Sequence, residues 1–187
     1  MLIVIKEQDK IVVGFANSEW AFPYTDADAM QLDNVPVKHL AGKKDRIVAF
    51  SVAGFLPDLI RYDDEVLENP TTAEEMKREI VPMLKNMAEH FKRVNEDGDW
   101  QNSMVVVEGD KIFDVNITFA VREIVNYVCH GYNVELVESV LDATEGLPAR
   151  ERIIKAVTYH ARMVGISIPV IAIFDTTSLD CEFVKGE

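Results

Sequence analysis

The feature that most constrains this chain is a β-hairpin that starts at its first residues. Two short apolar runs, Leu2–Ile5 and Ile11–Phe15, flank the polar segment Lys6–Lys10. A short apolar run closed by turn residues is typical of a buried strand. Free termini are usually poorly ordered. A buried strand at the amino end therefore needs a structural or chemical reason.

The overall charge excludes some classes of partner. The chain has 187 residues and a formal net charge of -13. We expect no nucleic-acid partner, because phosphate contacts need clustered Lys and Arg, and no docking to anionic membranes. No apolar stretch approaches the roughly 20 residues of a membrane span, and the start lacks a signal-peptide pattern. The expectation is a single cytoplasmic domain over residues 1–187.

A second hairpin and a helix follow the first hairpin. Val35–Leu40 and Ile47–Val52 are predicted to pair, with a charged stretch between them. Pro36 cannot donate to a ladder, so its strand is expected at a sheet edge or at a strand start. Phe55–Glu68 is predicted to form a first helix or a pair of turns.

A longer helix is predicted over Ala73–Val94. Thr71 or Thr72 can cap it, and acidic residues follow in its first turn. Pro82 predicts a kink near Arg78–Glu79. An apolar stripe at helical spacing is expected to pack into the core; it comprises Met76, Ile80, Met83, Leu84, Met87 and Phe91.

The second half begins with further strands. Ser103–Val107 and Lys111–Val115 flank a Glu-Gly-Asp turn, which is a clear hairpin signal. Ala120–Cys129 is predicted to be one more strand. Pro169–Phe174 and Leu179–Val184 are predicted to be the last two.

Two helices lie between these groups of strands. Asn133 is expected to cap Val134–Asp142, and Gly146–Pro148 separates that helix from Ala149–Val164. Gly165 is expected to end the second helix. The order strands, helices, strands, helices, strands favours an α+β protein with sheets inside and helices outside, a four-layer αββα sandwich.

Four segments in this order resemble the N-terminal nucleophile hydrolases, and most closely proteasome-type β subunits and their bacterial relatives. The segments are KIVVGFANSEW, VKHLAGKKDRIVAFSVAG, SMVVVEGDKIFDVN and CHGYNVELVESVLDA. The resemblance covers nearly the whole chain. Members of this family assemble into rings, so the resemblance implies that this chain self-associates as a homo-oligomer, either a ring or a dimer. It also implies a nucleophile at the first residue, with the α-amino group as its general base.

The residues that match the nucleophile and its neighbours do not carry this chemistry. Met1 stands at the nucleophile's place, and neither its side chain nor that of Leu2 has a proton to give up. Asn17 matches the family's Asp and carries no negative charge. Pro36 matches the family's Lys in the preferred register. Lys38, two residues on, shares the same strand face, and a two-residue slip would place it in the pocket.

The later part of the motif also departs from the family. Cys129 or His130 matches the serine of the Gly-Ser-Gly turn, and the family's late Asp falls in Arg162–Gly165, where none occurs. The resemblance therefore implies a degenerate pocket. It consists of Met1, Asn17, Pro36, Lys38, Cys129 and His130, with no catalytic residue.

Other candidate sites have simpler explanations. Cys129 and His130 are adjacent, like a thiol beside a base, but neighbours in a strand point to opposite faces. Cys129 and Cys181 are expected to be buried, reduced thiols. Four histidines share no i, i+4 spacing, so we expect no metal and no cofactor; they are His39, His90, His130 and His160.

The sequence thus predicts a non-catalytic, self-assembling subunit or scaffold of proteasome-β type. Two alternatives stay open. One is an active peptidase or amidohydrolase of the same fold, with another nucleophile or another mature chain start. The other is a small-molecule binding module that uses the cleft near Asn17, Lys38 and Cys129.

Overall fold

The computed structural model describes residues 1–16, 37–39, 46–50, 72–90, 92, 94–99, 103–178 and 180–185. The predicted helix Phe55–Glu68 lies outside these residues. The chain divides into two compact units. Unit 1 comprises Met1–Val35 and Asn126–Glu187, and unit 2 comprises Pro36–Val125. That the whole chain is a single domain stays a prediction.

Unit 1 is built around the predicted amino-terminal hairpin. Strand β1 (Leu2–Glu7) pairs antiparallel with β2 (Lys10–Ala16), with Leu2 opposite Phe15. Gln8, in the two-residue turn, adopts a positive φ of 47°. Leu2 to Ile5 are all fully buried, so both faces of β1 are covered.

The described strands of unit 1 form one antiparallel sheet. Its order is β10-β9-β2-β1-β8, which places β1 and β2 near the centre. The three further strands are β8 (Tyr127–His130), β9 (Val170–Asp175) and β10 (Cys181–Lys185). Strands β9 and β10 confirm the two predicted carboxy-terminal strands, with bounds that differ by one or two residues.

Two helices cover one face of this sheet. Helix α3 (Val134–Ala143) packs over β8, and α4 (Ala149–Val164) packs over β1, β2 and β9. The Glu7 carboxylate accepts the Ala149 N–H at 2.9 Å and so caps α4 from β1. Gly165 ends α4 with a φ of 73°, as predicted.

The predicted cap of α3 is wrong in its chemistry. Asn133 does occupy the N-cap position, but its side chain makes no capping hydrogen bond. Its backbone is left-handed, with φ 52° and ψ 48°, whereas a capping side chain normally extends from the β region.

Unit 2 contains the second sheet. Its order is β3-β4-β5-β6-β7 among the described strands, and every pair is antiparallel. The strands are β3 (Val37–His39), β4 (Arg46–Phe50), β5 (Met104–Glu108), β6 (Lys111–Val115) and β7 (Val121–Ile124). The two predicted hairpins of this unit are confirmed, and β3 lies at the edge of the described sheet.

The single strand predicted over Ala120–Cys129 is wrong. The segment forms two strands, β7 and β8, which belong to different sheets. Val125 lies at the break and is 79% exposed. No Gly or Pro lies at this break, so the apolar pattern of the sequence predicts one continuous strand across it.

The helix of unit 2 changes its spacing part of the way along. Helix α1 (Ala73–Glu75) leads into a π-helical segment, Met76–Ile80, and then into α2 (Val81–His90). Thr72 Oγ1 accepts the Glu75 N–H at 3.2 Å, which confirms the predicted cap.

The π-helical segment covers the place where Pro82 predicts a kink. There the Val81 N–H donates to the Met76 carbonyl, five residues back. A wider turn before a proline relieves the clash of its ring with the preceding turn. The helix ends at His90 rather than Val94, and Lys92 adopts a φ of 54°.

The stripe of this helix packs as predicted where it is described. Met76, Ile80 and Leu84 are buried against the sheet residues Val106 and Phe113. Met87 and Phe91 lie outside the described side chains. Within the described ranges, no helix has the length and apolar content needed to cross a bilayer.

Candidate functional site

The first residue is fixed at the end of β1 by main-chain hydrogen bonds. The Met1 α-amino nitrogen donates to the Ala16 carbonyl oxygen at 2.6 Å, and the Ala16 N–H donates to the Met1 carbonyl at 2.9 Å. The amino end is thus paired as if it were one more rung of the β1–β2 ladder. Ala16 immediately precedes Asn17, which lies outside the described residues.

A glycine packs directly against Met1. Gly131 follows β8 and has a φ of 143°, a region that disfavours side chains. A Cβ built on Gly131 would lie 3.2 Å from the Met1 Cα and 3.2 Å from its Sδ. Only glycine therefore lets this loop approach the amino end so closely.

The Met1 side chain belongs to the apolar core of unit 1. It is partly buried and packs against a cluster on the helix-covered face of the sheet. That cluster includes Ile3, Cys129, Val137, Leu141, Ile153 and Val157. A thioether has no acidic proton, so at this position it contributes packing and no nucleophile.

Cys129 and His130 lie beside β1 but do not form a couple. Cys129 is opposite Ile3 and His130 is opposite Leu2, at consecutive positions of β8. Consecutive strand residues point to opposite faces, and Cys129 is buried in the helix-side cluster. Sequence reasoning thus anticipated the geometry of this pair.

Burial keeps the Cys129 thiol protonated at neutral pH. Desolvation raises the pKa of Cys129 far above its ordinary value. The nearby carboxylates of Glu138 and Asp142 raise this pKa further, while the Arg152 guanidinium lowers it. The thiol is therefore a poor nucleophile. Cys181, also expected to be buried, is only half-buried.

Polar contacts surround Cys129 on the helix side. The Tyr127 hydroxyl donates to Asp142 Oδ1 at 2.6 Å, and burial together with this carboxylate raises the pKa of Tyr127. Arg152 Nη2 donates to the Leu141 carbonyl at 2.9 Å, near the carboxy end of α3, where a cation is favourable. Both contacts tie α3 to its neighbours, which accounts for them structurally.

The loop next to Met1 is held from α4. His160 is buried, and its Nε2 lies 2.8 Å from the Tyr132 carbonyl oxygen. Tyr132 follows Gly131 and is 76% exposed. His160 thus fixes the backbone that carries Gly131 against the amino end.

The other predicted pocket residues are only partly placed. Asn17 and Pro36 lie outside the described residues. Lys38 lies in β3, opposite Val48, but the side chains of β3 are outside the described part. Their membership of a common pocket with Met1 stays a prediction.

Two residues of the site were missed in the sequence. Ala16 carries the acceptor for the α-amino group, and a backbone acceptor leaves no signal in residue type. In the sequence, Gly131 was visible only as a break after His130. Its close contact with Met1 depends on the tertiary structure, so the sequence pattern does not reveal it. Among the residues that the structure describes, no group of three His, Cys, Asp or Glu side chains could hold a metal ion.

Comparison with known proteins identifies the fold. No family model and no curated protein matches the sequence. Among solved structures, BPH from Thiobacillus denitrificans has a TM-score of 0.69 at 14% identity, over 100% of this chain and 98% of that chain. BPH has also been solved in complex with epoxomicin.

Two further structures agree with this likeness. Anbu, an ancestral β-subunit from Yersinia bercovieri, has a TM-score of 0.66 at 10% identity, over 100% of this chain and 87% of that chain. Eukaryotic HslV from Trypanosoma brucei has a TM-score of 0.56 at 12% identity, over 93% and 97% of the two chains. The chain therefore has the α+β fold of proteasome-type β subunits, an N-terminal nucleophile hydrolase fold, as predicted.

Proposed function

We propose that this proteasome-β-like protein lacks N-terminal-nucleophile catalysis and works as a self-assembling subunit or scaffold. The observation that carries the proposal is the placement of Met1, whose apolar side chain packs into the core of unit 1. The neighbouring Leu2 is fully buried and equally inert. Nucleophilic catalysis at this place would need a hydroxyl or thiol.

The surroundings of the amino end support the same reading. The α-amino nitrogen is hydrogen-bonded to a main-chain carbonyl at 2.6 Å. A general base must lie within hydrogen-bond reach of the proton that it takes. Met1 offers the amine no such proton. Cys129, the nearest thiol in the β1–β8 pairing, is buried with a raised pKa and does not replace the missing nucleophile.

Self-assembly is supported by the fold. One structural neighbour is described as an ancestral β-subunit, which is a component of an assembly. With a formal net charge of -13, copies of this chain repel one another. We therefore expect association to strengthen as salt screens this repulsion. The cytoplasmic location inferred from the sequence stays a prediction.

The catalytic half of the proposal is tested with peptide substrates and with epoxomicin, the compound found on BPH. The purified protein should hydrolyse no fluorogenic peptide and should gain no mass with epoxomicin. The matched variant is Met1→Thr, released from a cleavable leader so that threonine is the first residue. It should stay inactive, because in the predicted register Asn17 and Pro36 match the family's Asp and Lys and carry no charge.

Steady hydrolysis or an epoxomicin adduct on the unaltered protein would overturn the proposal that the protein lacks catalytic activity. An intact mass that shows a first residue of Thr, Ser or Cys would favour the active alternative. Assembly is tested separately by sedimentation at low and high salt. A monomer under both conditions would refute the scaffold.

A further inference from the structure

The Met1 thioether is packed between a main-chain loop and the apolar core of unit 1. On the loop side, a Cβ built on Gly131 would lie 3.2 Å from the Met1 Sδ and 3.3 Å from its Cε. On the helix side, Met1 packs against a cluster whose buried side chains are hydrocarbon apart from the thiol of Cys129. A further heavy atom on the sulfur would therefore fit beside Gly131 only if the loop or Met1 moved.

Mild oxidation adds such an atom to a methionine. Hydrogen peroxide transfers one oxygen to the sulfur: the O–O bond breaks, an S–O bond forms, and the other oxygen leaves as water. The sulfur gives up two electrons, which the peroxide takes. The sulfoxide that results is polar, whereas the thioether is apolar. Burying its oxygen against hydrocarbon without a strong hydrogen-bond donor is unfavourable.

A small oxidant can reach Met1, because its side chain is only partly buried. Met76 and Met104, by contrast, are fully buried in unit 2. Met163 is 56% exposed on α4, so an oxygen added to its sulfur extends into solvent and disturbs no core. Met1 thus combines access to the oxidant with close packing of its sulfur.

The position of Met1 also fixes the last rung of the β1–β2 ladder. Its α-amino nitrogen donates to the Ala16 carbonyl at 2.6 Å, and its carbonyl accepts the Ala16 N–H at 2.9 Å. On the other side, a Cβ on Gly131 would lie 3.2 Å from the Met1 Cα, so the main chain of Met1 is also closely packed. A side chain that leaves the core pulls on this main chain, and both hydrogen bonds to Ala16 then weaken.

We propose that the packing of Met1 is redox-sensitive: oxidation of its thioether by a peroxide moves the side chain out of the core of unit 1 and opens the Met1–Ala16 rung. A thiol-dependent methionine sulfoxide reductase reverses the change. In that step two thiols become a disulfide, and the oxygen leaves the sulfur as water. The inference concerns the amino end alone and does not depend on whether copies of the chain associate.

Cys129 offers a second measure of the same movement. It is opposite Ile3, and Met1 lies two positions before Ile3, so the three side chains pack on the same face of the sheet. The Cys129 side chain is buried, and departure of Met1 should uncover its thiol. Burial raises the pKa of Cys129, which protects it from the peroxide because the thiolate is the reactive form.

The test compares the protein before and after treatment with hydrogen peroxide. Peptide mapping by mass spectrometry locates each added oxygen. When Met1 carries the oxygen, the Ala16 amide should exchange hydrogen about tenfold faster or more, and iodoacetamide should alkylate Cys129 faster by a similar factor. Cys181 is only half-buried, so its alkylation should not change. Methionine sulfoxide reductases of both stereospecificities should restore the original rates.

Two variants identify the sulfur that is responsible. Met1→Leu, released from a cleavable leader so that leucine is the first residue, keeps the apolar packing and has no sulfur. Peroxide should change neither the Ala16 nor the Cys129 rate in this variant. Met163→Leu is the matched control and should respond like the unaltered protein. Circular dichroism checks that both variants are folded.

Three results would overturn the inference. In the first, Met1 stays unoxidised when Met163 is fully oxidised, which would mean that the oxidant does not reach it. In the second, the Met1 sulfoxide forms while Ala16 and Cys129 stay as protected as before. In the third, Met1→Leu responds to peroxide as strongly as the unaltered protein, so that another residue carries the effect.

Discussion

The two units of the molecule have similar helix and sheet layers but are stabilised by different contacts. Each places helices on one face of an antiparallel sheet. In unit 1, polar side chains join segments far apart in sequence: Lys10 Nζ donates to Asp175 at 3.1 Å, and Glu7 caps Ala149. In unit 2, two polar contacts, Arg122 to Asp114 and Glu75 to Thr72, join residues that are close in sequence.

This difference follows from how each unit is assembled along the chain. Unit 1 is made from both ends of the chain, so its closure depends on contacts between distant segments. Unit 2 is one continuous segment and closes through its apolar cluster. We therefore expect unit 2 to be most sensitive to loss of apolar volume, and unit 1 to the fit and charge of its long-range contacts.

The largest effect is expected from Phe113→Ala in unit 2. Phe113 is fully buried in the cluster with Met76 and Val106, so its removal should cost about 3–5 kcal/mol of unfolding free energy. Urea unfolding followed by circular dichroism measures this cost. Ile117→Ala, in the same unit but half-exposed, should change stability by less than about 0.5 kcal/mol. Similar costs for the two variants would contradict an apolar closure of unit 2.

The next effect tests the fit of helix to sheet in unit 1. A Cβ on Gly14 would come closer than 3.0 Å to Cγ2 of the buried Ile153. That methyl is fixed to a branched carbon and cannot swing away. Gly14→Ala should therefore cost about 1–3 kcal/mol. Gly146→Ala is the control, because nothing lies within 4 Å of its added carbon.

A double variant sharpens this prediction. Ile153→Ala removes the offending methyl, so adding it to Gly14→Ala should cost less than the sum of the two single changes. Ile153→Val keeps that methyl and should give no such relief. Additive costs in both pairs would show that the approach of α4 to β2 is looser than described.

Sequence patterns predicted most of the elements because their signals are local. Helix α4 was bounded by Pro148 and Gly165, and it is observed over the predicted range. The amino-terminal hairpin needed only two apolar runs and a polar turn. In contrast, the chain leaves one sheet after β7 and enters the other sheet at β8. This change depends on tertiary burial, and no residue type at the break marks it.

The candidate site was less predictable for the same reason. The inertness of Met1 follows from residue type alone. Its packing into the helix-side cluster depends on the pairing of β1 with β8 and on the bare backbone of Gly131. Such contacts join residues more than 100 positions apart, and a single sequence does not encode them as a local pattern.

A smaller effect is expected at the helix start in unit 2. Thr72 Oγ1 satisfies the Glu75 N–H, which would otherwise have no helical partner. Thr72→Ala should cost about 1 kcal/mol, whereas Thr72→Ser keeps the acceptor and should cost less. Urea unfolding of the three proteins decides this. Equal losses in both variants would show that the Thr72 hydroxyl does not stabilise the start of α1.

The smallest effect concerns charge in unit 1 and depends on pH. Burial alone would raise the pKa of Asp175, but the Thr177 and Ser178 N–H groups and the Lys10 ammonium outweigh it and hold the pKa below 3.8. A carboxyl with a depressed pKa stabilises the fold above its unfolded pKa, and this stability is lost as pH falls through the folded value. Asp175→Asn should therefore destabilise the protein at pH 7 by at most about 1 kcal/mol, because the pair is partly exposed.

The same variant should lose its disadvantage in acid. Below the folded pKa, Asp175 is protonated and resembles asparagine, so the two proteins should converge in stability. Urea unfolding at pH 7, 5 and 3 follows the difference. Glu182→Gln is the matched control: it breaks a pair with Arg150 in which both side chains are nearly half exposed, and it should change stability less at pH 7. A difference between Asp175 and its variant that persists unchanged in acid would mean that the long-range charge contact does not help to close unit 1.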